Sequence, residues 1–141
     1  MISKLMTGIE QAIRKEFPET TYKIFTEATE RVSPCFFILC ISQSRNAKLG
    51  DRFILNTSFE VQYFSGSGNN ECWGVAEKLR ELLDVISLEG DLVQGRNGNY
   101  RVDNGVLHFV MDYNIPITRQ QDAVDFMEEV TVYGKTREAG K

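Results

Sequence analysis

The chain has 141 residues, of which 42% are hydrophobic and 26% charged, a composition typical of a globular protein. We expect one domain over residues 1–141, with a frayed tail from about residue 135. The net charge of −4 gives no general attraction to nucleic acid, whose binding depends on neutralising phosphates. No run approaches the roughly 18 apolar residues of a membrane span, and we expect no signal peptide.

The three cysteines, Cys35, Cys40 and Cys72, include no CxxC pair. An odd number without that spacing argues against a secreted disulfide framework. We therefore expect buried, reduced thiols in a cytosolic protein.

The first third of the chain predicts a helix and two strands. Apolar residues recur at helical spacing from Ile2 to Ile13 and predict an amphipathic helix of about 15 residues, which Pro18 ends. Residues 22–26 are a short strand candidate. The continuous apolar run at residues 35–41 predicts a central strand buried on both faces.

A long antiparallel hairpin is predicted next. Residues 53–63 alternate between apolar and polar side chains, which indicates a strand with one face buried. Residues 42–50 are polar and predict a protruding loop. Arg45, Lys48 and Arg52 would give that loop a basic tip. Because loops carried on rigid strands often carry function, we consider this tip a candidate contact with another subunit or an acidic partner. An ordinary solvated loop is the alternative.

A glycine-containing linker at residues 65–70 leads into a second helix, whose apolar stripe runs from Trp73 to Ile86 and whose expected N-cap is Asn69 or Asn70. A strand followed by Gly66-x-Gly68 and then by a helix is the outline of a dinucleotide-binding turn. However, Glu71 occupies the third glycine position and would place a carboxylate where phosphate binds, so we favour a flexible loop. Trp73 is expected to anchor the core, with a subunit interface as the alternative.

The last third predicts a hairpin over residues 100–113, because Asn104-Gly105 suits a type I′ turn. A strand starting at residues 92–93 is expected to turn into this hairpin at residues 96–99, and residues 115–117 to end the hairpin at a sheet edge. The β-branched run at residues 130–133 favours a strand. Residues 120–129 fit either helix or strand.

The sequence contains few residues that could form a catalytic or metal-binding site. His108, the only histidine, has no nucleophile placed near it by local spacing, so we expect a packed or interface histidine. The acidic cluster Asp122, Asp125, Glu128 and Glu129 fits neither a calcium loop nor a helical metal site, and we interpret it as a solvated face or charged interface. The sequence therefore predicts no catalytic, cofactor-binding or metal-binding residue, and no enzyme.

These elements predict an α+β fold with a mostly antiparallel sheet of about five to six strands and two helices packed on it. Their order resembles the tail terminator, or tail completion, proteins of tailed bacteriophages and prophages. The similar segments run through the chain: Pro34 and the apolar strand after it, Leu49-Gly-Asp-Arg-Phe53, Val61-Gln-Tyr-Phe64, Ala76-Glu-Lys-Leu79, Asp103 to Tyr113, and Met127 to Val132.

The resemblance implies a virion protein that forms a homo-oligomeric ring, usually a hexamer, on the head-proximal end of the tail tube. Such a ring stops tube polymerisation and offers a docking surface to the neck. The implied partners are the tail tube protein, possibly the sheath, and a neck or connector protein. Genome DNA would only pass through the lumen, and assembly would occur in the host cytoplasm. The resemblance leaves contractile and non-contractile tails open.

Ring assembly needs exposed edge strands and protruding loops. The candidate interface residues are therefore Arg45, Lys48, Arg52, Glu128, Val130 and Val132. A head–tail connector subunit is the alternative within the same class. A small nucleotide-binding enzyme that uses Gly66, Gly68 and His108 is the alternative from a different class.

Overall fold

A computed structural model describes residues 1–27, 33–119 and 130–132 of the chain. In chain order its elements are α1 (Ile2–Arg14), β1 (Lys23–Phe25), β2 (Cys35–Ala47), β3 (Arg52–Phe64), α2 (Asn69–Leu82), β4 (Val85–Leu88), β5 (Asp91–Asp103), β6 (Val106–Arg119) and β7 (Val130–Val132). The strands form a sheet in the order β1-β2-β3-β6-β5-β4, and β7 pairs with β6. Among the described strands, only the β1–β2 pair is parallel.

The predicted class, α+β with a mostly antiparallel sheet and two helices, is confirmed. The sheet has seven strands, where the sequence predicted about five to six. The core lies between the helices and one face of the sheet, and contains alternate residues of β3 and β6 together with the apolar stripe of α1. Helix α1 ends at Arg14, shortly before Pro18, as its sequence predicted.

The predicted turn at Asn104-Gly105 is confirmed, since φ is 53° at Asn104 and 78° at Gly105, as a type I′ turn requires. The same turn geometry recurs at Glu89-Gly90, where φ is 52° and 90°. This second turn joins β4 to β5 in a short hairpin that the sequence analysis did not predict.

The loop predicted at residues 42–50 is wrong for most of its length. Strand β2 continues to Ala47 and pairs with β3 up to Ala47 opposite Phe53, so only a tight turn remains. Residues 41–47 are all exposed. Where neither face of a strand is buried, no apolar alternation can mark it, and this is why the segment resembled a loop. The buried part of β2 is correspondingly shorter than predicted, since Cys35 to Ile38 are buried and Ile41 is not.

Two predicted breaks in the second half are also wrong. Residues 96–99 are a β-bulge within β5, because Arg96 lies opposite Asp112 and Asn99 opposite Val110, which leaves one extra residue on β5. Residues 115–117 do not end the hairpin, because β6 continues to Arg119 and pairs with β3 from Val106 to Thr118.

Helix α2 differs from its prediction at its C-terminus and at two further positions. It ends at Leu82, whereas the predicted apolar stripe continued to Ile86, which lies in β4. Its N-cap is Gly68, without a side-chain hydrogen bond, whereas the Asn69 side chain accepts the Gly105 N–H at 2.8 Å. Trp73 is 45% exposed, so the predicted core anchor is wrong. Cys72, Val75, Ala76 and Leu79 form the buried face of α2, and Trp73 is turned away from that face and contacts Tyr100 edge-on at 5.8 Å.

Two glycines allow close backbone approaches. A Cβ atom at Gly8 of α1 would lie 2.5 Å from the Ser87 carbonyl oxygen of β4. At Gly95, where β5 leaves β4 and joins β6, a Cβ atom would lie 2.6 Å from Met111 Sδ and 3.0 Å from the Leu83 carbonyl oxygen. Both approaches hold the β4–β5 hairpin against the rest of the domain.

No helix among the described residues is long and apolar enough to cross a membrane. The undecided segment 120–129, the acidic cluster at residues 122–129 and the predicted tail from about residue 135 lie outside the described residues.

Candidate functional site

The three predicted basic residues lie together at the turn between β2 and β3. The Lys48 N–H donates to the Arg52 carbonyl at 2.8 Å and closes the turn. The Arg45 guanidinium lies 4.1 Å from the centre of the Phe53 ring, within the range of a cation–π contact. Leu49, at the outermost position of the turn, is 89% exposed. The tip is therefore a strand-supported turn that carries both positive charge and an exposed apolar side chain.

The outer side of β2 is accessible near this tip. Strand β1 pairs only with Cys35, Phe36 and Phe37 of β2, and no other described strand pairs with that side. Ile41, the extra residue of a bulge between Cys40 and Ser42, is 50% exposed. An accessible strand edge with exposed side chains can accept another chain.

The predicted strand at residues 130–133 is confirmed for Val130, Thr131 and Val132, which form β7. Arg52 of β3 pairs with Thr118 of β6, and Thr118 also pairs with Thr131 of β7. The tip and β7 are thus at the same end of the sheet, separated by one strand. Glu128, the remaining predicted interface residue, lies outside the described residues.

The sheet face opposite the core carries a polar cluster around His108. The imidazole Nδ1 lies 2.7 Å from Glu60 Oε2, and Gln62 Nε2 donates to the same oxygen at 2.9 Å. Burial raises the pKa of Glu60, but the hydrogen bonds from His108 and Gln62, with the charges of His108 and Arg101, outweigh burial and lower that pKa. Glu60 is therefore held as a carboxylate against His108.

A second polar cluster lies on the same face. The Ser58 hydroxyl donates to Asp112 Oδ1 at 2.5 Å, and Asn97 Nδ2 donates to Asp112 Oδ2 at 2.9 Å. The serine hydroxyl is thus bonded to a carboxylate, while the imidazole is bonded to Glu60. A hydrolytic site of the triad type needs a hydrogen bond between the imidazole and the serine hydroxyl. The described residues do not form that hydrogen bond.

The Gly66-x-Gly68 turn borders a cavity of about 860 Å³ that is widely open to solvent. Ser65 Oγ accepts the N–H groups of Ser67 and Gly68 at 3.1 Å each, so the turn is ordered by hydrogen bonds. The Glu71 carboxylate lies at the start of α2 and accepts from the Tyr63 hydroxyl at 2.5 Å and from Ser67. This negative charge at the helix N-terminus occupies the position that a phosphate would take.

In the described part of the chain, the cysteine thiols are the remaining groups that could take part in catalysis or bind a metal. The Cys72 thiol lies 3.3 Å from the Gly105 carbonyl, and burial raises its pKa despite a hydrogen bond from Ser65. None of the three cysteines forms a disulfide bond. Within the described ranges, no group of three or more histidine, cysteine or acidic side chains could hold a metal ion.

Sequence reasoning missed Glu60 as the partner of His108. The two residues meet because the register between β3 and β6 sets Gln62 opposite His108, and local sequence patterns do not specify that register. Sequence reasoning also missed the β4–β5 hairpin, whose outward face exposes Val85 and Leu92. Glu89-Gly90 between two short apolar segments was the available signal.

Comparison with known proteins supports one assignment. The family model described as "Phage tail terminator protein" matches residues 4–125, which is most of the chain. A comparison with curated proteins gave no match.

Proposed function

Because the chain belongs to the phage tail terminator family and is therefore a structural component of phage tails, we propose that it forms a ring on the head-proximal end of the tail tube. The ring stops tube polymerisation and provides the surface on which the neck docks. The observation that carries this proposal is the match over residues 4–125, which includes all but the first two residues of α1, the whole of α2 and the six strands from β1 to β6.

The geometry of the exposed strands suits a ring. A cyclic assembly joins two different surfaces of each subunit, and the contact repeats until the ring closes. The β2–β3 tip and the accessible side of β2 offer one such surface, with Leu49 and Ile41 exposed. We propose six copies, the usual number implied by the resemblance.

The partners of the ring are the tail tube protein below and a neck or connector protein above, with the sheath as a further partner in a contractile tail. Genome DNA passes through the lumen. A subunit with a net charge of −4 suits that role, because release of DNA is favoured when the protein does not neutralise phosphates. Assembly takes place in the bacterial host cytoplasm, before the tail joins the head.

Deletion of the gene from the phage tests the proposal. We expect tubes of abnormal and variable length that do not join heads, and normal tails when the gene is supplied from a plasmid. A phage lacking the neck protein is the control, because its tubes should keep normal length without heads. Tubes of normal length after deletion of this gene would refute termination and favour a connector subunit.

A further inference from the structure

Two surfaces of the chain have opposite charge and exposed apolar side chains. The first, which we name the basic tip, comprises residues 45–52 and contains Arg45, Lys48 and Arg52 against a single carboxylate, Asp51. Its outermost side chain, Leu49, is 89% exposed. Single exposed apolar residues are common on protein surfaces, so a role for Leu49 in a contact depends on a complementary apolar surface elsewhere on the chain.

The second surface, which we name the acidic hairpin, comprises residues 84–94 and contains Asp84, Glu89 and Asp91 without a lysine or arginine. Glu89 is paired with Lys4 of α1 at 3.1 Å, so Asp84 and Asp91 carry the rest of its negative charge. Ile86, Leu88 and Val93 of this hairpin are buried and attach it to the core. The alternate residues face outward, and among them Val85 is 39% and Leu92 60% exposed. Val85 pairs with Gln94 and Ser87 with Leu92, so the two apolar residues are diagonal neighbours on one face.

The two surfaces lie at different edges of the sheet. The basic tip is formed by β2 and β3, near one end of the strand order, whereas β4 and its pair β5 are at the other end. A head-to-tail ring needs two different surfaces on each subunit, one for the copy before it and one for the copy after it, and these two edges can supply them.

We propose that the basic tip of one subunit docks on the outward face of the acidic hairpin of the next copy of this chain. Leu49 packs against Val85 and Leu92, and Lys48 approaches Asp91 at the end of the hairpin. This inference rests on the proposed ring and names the surfaces that close it. Complementary charge orients the contact, and the apolar residues at its centre supply most of its affinity.

A charge-exchange experiment tests the contact. Lys48→Glu places an acid on the tip, and Asp91→Lys places a base on the hairpin. Each variant alone should associate at least tenfold more weakly than the wild type in native mass spectrometry and in assays of tube capping. An equimolar mixture of the two should recover, because in an alternating ring every contact then joins opposite charges. Such alternation requires an even number of subunits.

Lys15→Glu and Glu19→Lys serve as matched controls, because both residues are exposed and lie outside the two surfaces. Leu49→Ser tests the apolar part and should weaken association at least tenfold, while its circular dichroism spectrum stays that of the wild type. If the wild type caps tubes and the variants cap them equally well, this contact alone is overturned. The same holds if the wild type caps tubes and the mixture of variants does not recover. A wild type that neither associates nor caps tubes would overturn the proposed function itself.

Discussion

Substitution of Gly8 by alanine tests the packing of α1 against β4. Alanine in a helix interior is normally more stable than glycine by about 0.8–1.0 kcal/mol. At Gly8, however, the added Cβ would lie 2.5 Å from the Ser87 carbonyl oxygen, nearly 1 Å closer than the 3.3–3.6 Å typical of a carbon–oxygen contact. That oxygen belongs to the β4 backbone, so it cannot move without shifting the strand.

The expected effect follows from these two opposing terms. Forcing an extra methyl group into a packed site costs typically 1–3 kcal/mol, and we expect the upper part of that range because the neighbour is backbone. After subtraction of the helix-propensity gain, Gly8→Ala should lower the free energy of unfolding by about 1–2 kcal/mol. For a chain of this length that corresponds to a fall in Tm of roughly 3–6 °C.

Gly74→Ala is the matched control, because Gly74 lies within α2 and a Cβ atom there meets no atom within 4 Å. It should raise the free energy of unfolding by about 0.5–1 kcal/mol. Urea denaturation followed by circular dichroism measures both variants. If Gly8→Ala were as stable as Gly74→Ala, the close approach of α1 to β4 would be refuted.

Two further predictions concern buried or half-buried polar groups. The buried Tyr113 hydroxyl donates to the Leu83 carbonyl at 2.6 Å, so Tyr113→Phe should lower the free energy of unfolding, measured by urea denaturation, by about 1–3 kcal/mol. Tyr100→Phe is the control and should change it by less than about 0.5 kcal/mol. Equal effects of the two substitutions would contradict the assigned hydrogen bond. Because the pKa of Glu60 is lowered in the folded state, its contribution is complete above the unfolded value of about 4.3 and is lost as the pH falls through the folded value. The stability advantage of the wild type over Glu60→Gln should therefore shrink as the pH falls below about 4, and an advantage that grows below that pH would contradict the assignment.

Local sequence patterns predicted those elements whose side chains alternate between core and solvent. Helix α1, strand β3 and the hairpin at Asn104-Gly105 were recognisable because one face of each is buried and the turn residues suit positive φ. The end of β2 was not, since residues 41–47 are exposed on both faces. The strand is present there because β3 supplies its hydrogen-bond partners.

Strand β4 was missed for a different reason. Leu82, Leu83 and Ile86 continue the spacing of α2 and satisfy a helical period, so the sequence alone extends the helix. In the structure the chain leaves the helix at Leu83, and the Gly95 N–H donates to the Asp84 carbonyl at 2.6 Å. That contact depends on β5 and on Gly95 lying close to Met111, which are tertiary features without a local signature.

The candidate site was predictable only in part. The three basic residues of the tip were identified from the sequence, but the exposed Leu49 beside them was not considered as a contact residue. The outward face of the acidic hairpin depends on β4 pairing with β5. The Glu60–His108 pair likewise depends on the register between β3 and β6.

The most direct test of the proposed function measures how many copies of this chain are needed to stop growth at each tube end. Purified tube protein is polymerised with increasing amounts of this chain, and tube lengths are measured by electron microscopy. The account predicts that growth stops when about one ring of the chain is present per growing tube end, whatever the total mass of tube protein, and that the chain is found at one end only. Tubes that grow unchanged with the chain in excess, or chain bound all along the tube wall, would contradict it.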